Sequence, residues 1–302
     1  MNHIQLSSFV NMHSPDAVFK ETRSILSLAS PEFDMEPVEA AFSTTVELYN
    51  GNYPGYRACN TEYHDLRHIT DVFLGMTRLI HGALLDNRKI TDRHIAIGLI
   101  AALLHDTGYI QEEWDTEGTG AKYTATHVKR SADFLESYGS ENGLSDEEID
   151  MGRSMIFCTD VALDFSTMTF PSKNAEFFGK MLCAADLLAQ IADRTYLEKL
   201  LFLYYEFREC GLGGFKSEED ILRQTIGFYE FVDQRIEENF VENDRFMILH
   251  FASRWDIHRN LYHESIENQR NYLKQVLNIA NPFKHLRRDG IVDKIQEREM
   301  HL

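Results

Sequence analysis

Ala101-Ala102-Leu103-Leu104-His105-Asp106 closes an apolar run that begins at Ile95. A helix with no polar face belongs inside a bundle, and one this short cannot span a bilayer. Its last two residues then set an imidazole and a carboxylate at the edge of a core, where each needs a partner. A hydrogen bond or a cap would satisfy one of them. A divalent cation would satisfy both, and an ion held this way can activate water.

The chain on either side continues the helical pattern. Apolar residues recur mostly at spacings of three and four, and no alternating strands bounded by turns stand out. The six prolines, at 15, 31, 37, 54, 171 and 282, leave Ser172 to Asn281 free for long helices. The expected fold class is all-α, with helices over 37–50, 64–82, 91–106, 123–138, 145–160, 174–192, 194–210, 217–241 and 244–278. Thr91 or Asp92 can cap the helix carrying His105, and Ser145 with Glu148 reads as a capping box. One domain is expected over 37–278, with 1–36 as an N-terminal segment packing on it and 279–302 as a weakly anchored tail. The polar stretch from Gln111 to Lys122 reads as a mobile loop beside His105-Asp106.

A chain of 302 residues, 43% of them hydrophobic, is long enough and apolar enough to bury a large core. Its net charge of -18, from 30 basic and 48 acidic residues, disfavours a nucleic-acid polymer or an anionic membrane as partner. A phosphate-ester substrate would need local positive charge, which a metal would supply. Cys59, Cys158, Cys183 and Cys210 are scattered, as expected of reduced thiols. The N-terminus lacks a basic start followed by a long apolar core, so no signal peptide is expected and the location expected is cytoplasmic. The periodic stretch near the C-terminus suits a homodimer as well as packing on its own core.

His64 and His68 stand four apart, so on a helix they share a side. Alone they read as polar residues at a helix start; beside His105-Asp106 they read as further ligands. Asp186 interrupts Met181-Leu182-Cys183-Ala184-Ala185-Asp186-Leu187-Leu188, either as a ligand or in a salt bridge to a neighbouring helix. His250, His258 and His263 have no nearby acid to complete a ligand set and read as structural or surface residues. Glu112, Glu113 and Asp115 read as a solvated acidic loop.

The order His, His-Asp, then a distant Asp on helices resembles the HD-domain metal phosphohydrolases, and more closely the catalytic domain of class I cyclic-nucleotide phosphodiesterases. Five segments from about Tyr63 to Phe240 carry the resemblance: Tyr63-His64-Asp65-Leu66-Arg67-His68, Ala101 to Asp106, Phe157-Cys158-Thr159-Asp160, Cys183-Ala184-Ala185-Asp186-Leu187 and Ile226-Gly227-Phe228. The resemblance implies a single multi-helix bundle of HD type. It implies that His68, His105, Asp106 and Asp186 hold a first metal and that His64 is the general acid protonating the leaving oxygen. Asp106 would be shared with a second metal. Zinc, iron or manganese suits the His-rich first position, and magnesium or manganese the wetter second one. His127, in Thr124-Ala125-Thr126-His127, resembles a histidine that in many HD proteins ligates a second metal or meets phosphate; it reads equally as an exposed helical histidine. Lys129 and Arg130 beside it read as surface charges. By the resemblance Tyr63 and Phe228, with Gln224 near the expected glutamine position, are the candidate substrate-binding residues.

The sequence departs from that pattern in three places. After His105-Asp106 it continues Thr107-Gly108-Tyr109, with Tyr109 in place of a second histidine. Asp186 is followed by Leu187-Leu188-Ala189, without the asparagine that helps hold the base. The position of the base-binding glutamine holds Thr225, with Gln224 one residue earlier. The reaction class implied is hydrolysis of a phosphodiester or phosphomonoester in a nucleotide-like small molecule, with 3',5'-cyclic nucleotides as one case. The rival expectation is a non-catalytic regulatory or binding module that keeps the HD fold and a structural metal.

Overall fold

The computed structural model describes residues 4–299, and among them the regular structure is helical. The α-helices are α1 (Pro15–Ala29), α2 (Glu36–Tyr49), α3 (Leu66–Leu85), α4 (Asp92–Leu104), α5 (His127–Glu141), α6 (Asp146–Phe157), α7 (Lys173–Ala192), α8 (Tyr196–Glu209), α9 (Glu218–Asn239), α10 (Asn243–Trp255), α11 (Leu261–Val276) and α12 (Ile291–Glu299). Short 3-10 turns join several of them. Tyr56 and Glu112 form an isolated bridge, and no strand occurs among the described residues.

Helix α3 lies at the centre, against α1, α4, α7 and α10, and every residue from Val72 to Ala83 is buried. Helix α4 is buried from Ile95 through Leu104, between α2, α3 and α6. Its lack of a polar face follows from being enclosed on all sides. Fully burying each of its leucines and isoleucines contributes about 1.5–3 kcal/mol, which offsets the cost of bringing polar groups to its end. At Gly82 a Cβ would lie 2.0 Å from the Phe246 carbonyl oxygen, so glycine lets α3 and α10 meet backbone to backbone.

Local signals fix several helix starts. The Asp65 side chain accepts the His68 N–H at 2.9 Å and caps α3. Thr91, rather than Asp92, caps α4, and Ser145 with Glu148 forms the capping box of α6. Each such cap is worth about 1 kcal/mol.

The segment 1–36 packs on the domain through α1, a helix absent from the expected set, capped by Ser14 and started by Pro15, with Val18, Ile25 and Leu26 buried. Three expectations need correction. The stretch 244–278 is two helices, because Asp256 turns left-handed (φ 56°) and Asn260 caps α11 by accepting the N–H groups of Tyr262 and His263. The tail forms α12 and buries Ile291, Val292 and Ile295, with α12 packed near α8. The loop 111–122 is fastened rather than free. Asn60 donates to Gln111 (2.7 Å) and accepts from Gly120 N–H (2.9 Å), while Thr119 Oγ1 donates to Glu209 (2.7 Å). No helix among the described residues is long and apolar enough to cross a membrane, and all four cysteines are free thiols.

Candidate metal centre

Three segments converge at the inner end of α4. His68 sits in the first turn of α3, where the Asp65 cap fixes its backbone. His105 is the C-cap residue of α4 and Asp106 follows it directly. Asp186 projects from the buried face of α7. The ligating atoms of His68, His105 and Asp106 lie within 4.8 Å of one another. His68 Nε2 is 3.3 Å from His105 Nε2, and Asp106 Oδ2 is 3.2 Å from the first and 3.4 Å from the second. Asp186 Oδ1 adds a second carboxylate, 3.3 Å from His68 Nε2 and 3.7 Å from His105 Nε2. His105 is fully buried and Asp106 only 4% exposed.

Proton positions follow from the partners. His105 Nδ1 lies 2.9 Å from the Ala102 carbonyl, which can only accept, so Nδ1 carries the proton and Nε2 faces the cluster with its lone pair. His127 Nδ1 donates to the Thr124 carbonyl at 2.7 Å in the same way, leaving Nε2 toward Asp106 Oδ1 at 3.6 Å. Asp106 thus has one oxygen on the His68–His105 pair and the other toward His127.

Two buried carboxylates draw positive charge onto the cluster. Burial opposes charge on His68, but hydrogen bonds and attraction from Asp106 and Asp186 outweigh it and push His68 up to about 10. His105 rises for the same reason, against its burial. Burial pushes Asp106 upward, but His105 and His68 pull its carboxyl well below the usual range. His68, His105 and Asp106 could hold a metal ion, and their nitrogen–oxygen donor set is one that divalent metals accept.

Around this cluster runs a support layer. His64 lies just ahead of α3 rather than on it, so it does not share a helix face with His68 as the four-residue spacing suggested. Its Nδ1 pairs with Glu206 Oε2 at 2.7 Å, while Glu206 Oε1 accepts the N–H groups of Glu62 (2.9 Å) and Tyr63 (2.8 Å). The His64 ring stacks on Tyr109 (centroids 4.2 Å, 13°), and Tyr109 stacks on His127 (4.5 Å, 23°). At Gly108 a Cβ would meet the His127 carbonyl oxygen at 2.0 Å. Glycine there lets the Thr107–Tyr109 turn rest on the start of α5 and brings His127 to Asp106. Arg130 fastens the same turn by donating to the carbonyls of Gly108 (2.8 Å) and Ile110 (3.0 Å), so it is not a free surface charge. Gln190 donates to Asp186 Oδ1 (2.9 Å) and accepts from the Tyr63 hydroxyl (3.0 Å).

The structure therefore brings together His68, His105, Asp106 and Asp186, with His127 and His64 alongside. Tyr63 is buried behind them, tied to Gln190. Gln224 is exposed and hydrogen-bonds the Gly214 carbonyl and Asp220. Phe228 is half-buried and stacks on Phe231 of its own helix at 5.9 Å. Among the described residues, neither Gln224 nor Phe228 has a hydrogen bond or ring contact with the cluster. Sequence reasoning missed Glu206 and Gln190. The available signal was a lone acid within the aromatic stretch Tyr204-Tyr205-Glu206-Phe207 of α8.

The model of the Npun_R2479-like family matches residues 54–244, more than half of the chain, and the chain belongs to that family. The matched span includes every residue of the cluster and of its support layer. No curated protein and no solved structure matches the chain.

Proposed function

We propose that this protein is a metal-dependent phosphohydrolase of HD type, hydrolysing a phosphodiester or phosphomonoester of a nucleotide-like small molecule. The observation that carries the reading is the buried His68–His105–Asp106 cluster with Asp186 beside it. His68, His105, Asp106 and Asp186 would hold a first divalent ion, and Asp106 Oδ1 with His127 a second. When bound, such ions polarise the ester and activate water for attack on phosphorus.

The remaining work falls to the chain's own side chains. Glu206 takes the Nδ1 proton of His64 in a hydrogen bond, which leaves Nε2 as the atom that delivers a proton to the leaving oxygen. Because Glu206 is also held by two backbone N–H groups, the imidazole is fixed in orientation. Tyr109 stacks on both His64 and His127, whose own rings lie 6.3 Å apart and tilted by 35°. Gln190 and Tyr63 hold Asp186 toward the imidazoles. The strongly acidic surface suits a small substrate drawn to the metal rather than a nucleic-acid polymer. The resemblance of Tyr63-His64 and Ile226-Gly227-Phe228 to the cyclic-nucleotide phosphodiesterases supports a 3',5'-cyclic nucleotide as the narrower case.

The second reading, a non-catalytic module with a structural metal, is favoured by the deep burial of the cluster and by Tyr109 where a second histidine would widen the metal surroundings. One experiment separates them. Metal content is measured on the purified protein, and phosphomonoesters, phosphodiesters and a cyclic-nucleotide panel are assayed with manganese or magnesium. Bound metal, with turnover lost in His105→Ala and Asp106→Ala, supports the enzyme. Bound metal without turnover of any ester selects the module. Absence of metal with activity retained in both variants overturns both readings.

A further inference from the structure

Arg78 sits midway along α3, away from the metal cluster, and is only 2% exposed. Among the described residues no carboxylate lies within ion-pairing distance of it. Of its five N–H donors, one is used: Nη1 donates to the Tyr262 hydroxyl at 2.8 Å, and Nε is buried without a partner. The ring centroids of Phe251 and Tyr262 lie 5.6 and 5.5 Å from the guanidinium carbon. Arg235 shows how this fold otherwise treats a buried guanidinium. Its donors go to the carbonyls of Leu163 (3.0 Å) and Asp160 (2.9 Å) and to Cys183 Sγ (3.5 Å).

Arg78 lines a cavity of about 260 Å³ roofed by the N-terminal segment, including Val10 and Met12. Three carboxylates also line it, but two are engaged elsewhere. Asp193 pairs with Arg67 (2.8 Å) and Lys199 (3.1 Å), and Asp289 pairs with Arg67 (3.2 Å). The third, Asp71, stands seven residues before Arg78, about 10 Å along the helix axis. The positive charge is felt nearby: burial, together with Arg78, His81 and Arg254, holds His250 well below the usual imidazole range. A buried cation with unused donors beside a cavity is costly unless an anion completes it.

We infer that this cavity binds a small oxyanion, a carboxylate or a phosphate, on the edge of the Arg78 guanidinium. The planar fork of N–H donors matches two oxygens of either group. The site is separate from the metal cluster and does not depend on the catalytic reading.

Calorimetric titration of the full-length protein with inorganic phosphate and with acetate, against sodium chloride at matched ionic strength, tests it. Saturable binding of either anion above the chloride control is expected, and whichever binds identifies the oxyanion. Arg78→Met should weaken binding by about tenfold or more. Arg78→Lys, which keeps the buried charge and so the fold, should weaken it too by losing the fork. His105→Ala should leave binding in place. No binding above chloride, undiminished binding in either folded Arg78 variant, or loss of binding in His105→Ala would each overturn the inference.

Discussion

Helix α3 meets a second imidazole at two places, and the two pairs have opposite preferences for charge. Near its start His68 Nε2 faces His105 Nε2 at 3.3 Å; farther along, His81 Nδ1 faces His250 Nδ1 at 3.0 Å. Both pairs are buried. The first has Asp106 and Asp186 against it, and His68 is pushed up to about 10 despite its burial. The second has arginines instead: burial, with Arg254 beside it, takes His81 down to about 4. The second pair therefore shares one proton per hydrogen bond and stays neutral, whereas the first asks for a cation. Acids, more than the number of histidines, make a cation site.

The largest test of this contrast is Asp106→Asn. It removes a charge that reaches His68, His105 and His127, so affinity for a divalent ion should fall by at least about 100-fold, read by metal analysis after dialysis. His250→Leu should leave metal content unchanged; equal losses in the two variants would break the comparison. His250→Leu should instead lower stability by about 1–3 kcal/mol, because His81 Nδ1 is left buried without its partner. Removing both rings in His81→Leu/His250→Leu should cost less than the two single changes added, as measured by urea unfolding.

Acidification offers a smaller test. The unfolded chain protonates His81 near 6.5, the folded protein only near 4, so between these values the unfolded state binds more protons. Stability from this group is present above 6.5 and is lost as pH falls toward 4. Unfolding midpoints should drop more steeply over that range in the native sequence than in the double leucine variant. The smallest effect concerns a third imidazole, one with an acid outside the cluster. Glu206→Gln should reduce ester hydrolysis by about tenfold while leaving bound metal unchanged, since Glu206 holds His64 and no ligand.

Much of this was legible in the sequence where one short stretch carried its own physics. The unbroken apolar run before His105 is enclosed on all sides, and the Ser145–Glu148 box starts α6 as its spacing implied. What could not be read depended on contacts between distant segments. Nothing near Glu206 says that it turns toward His64, and nothing around Gln190 says that it bridges Tyr63 and Asp186. His250 reads as structural or surface in the sequence, and its pairing with His81 is invisible there, because a histidine's meaning lies in which charges the fold sets beside it. The break at Asp256 was hidden because the apolar period continues on both sides, and only the left-handed backbone and the Asn260 cap interrupt it.

The donors of the cluster come from residues 68, 105, 106 and 186, on three segments that meet only in the finished bundle. In the unfolded chain Asp186 is remote from the others, and the crowding of acids does not exist. An ion that needs all four groups therefore binds the native chain alone and shifts the folding equilibrium by mass action. Synthesis in metal-poor medium would then be felt first as a shortage of correctly folded protein, before any question of turnover arises. The centre is complete only once α7 has docked on α3 and α4.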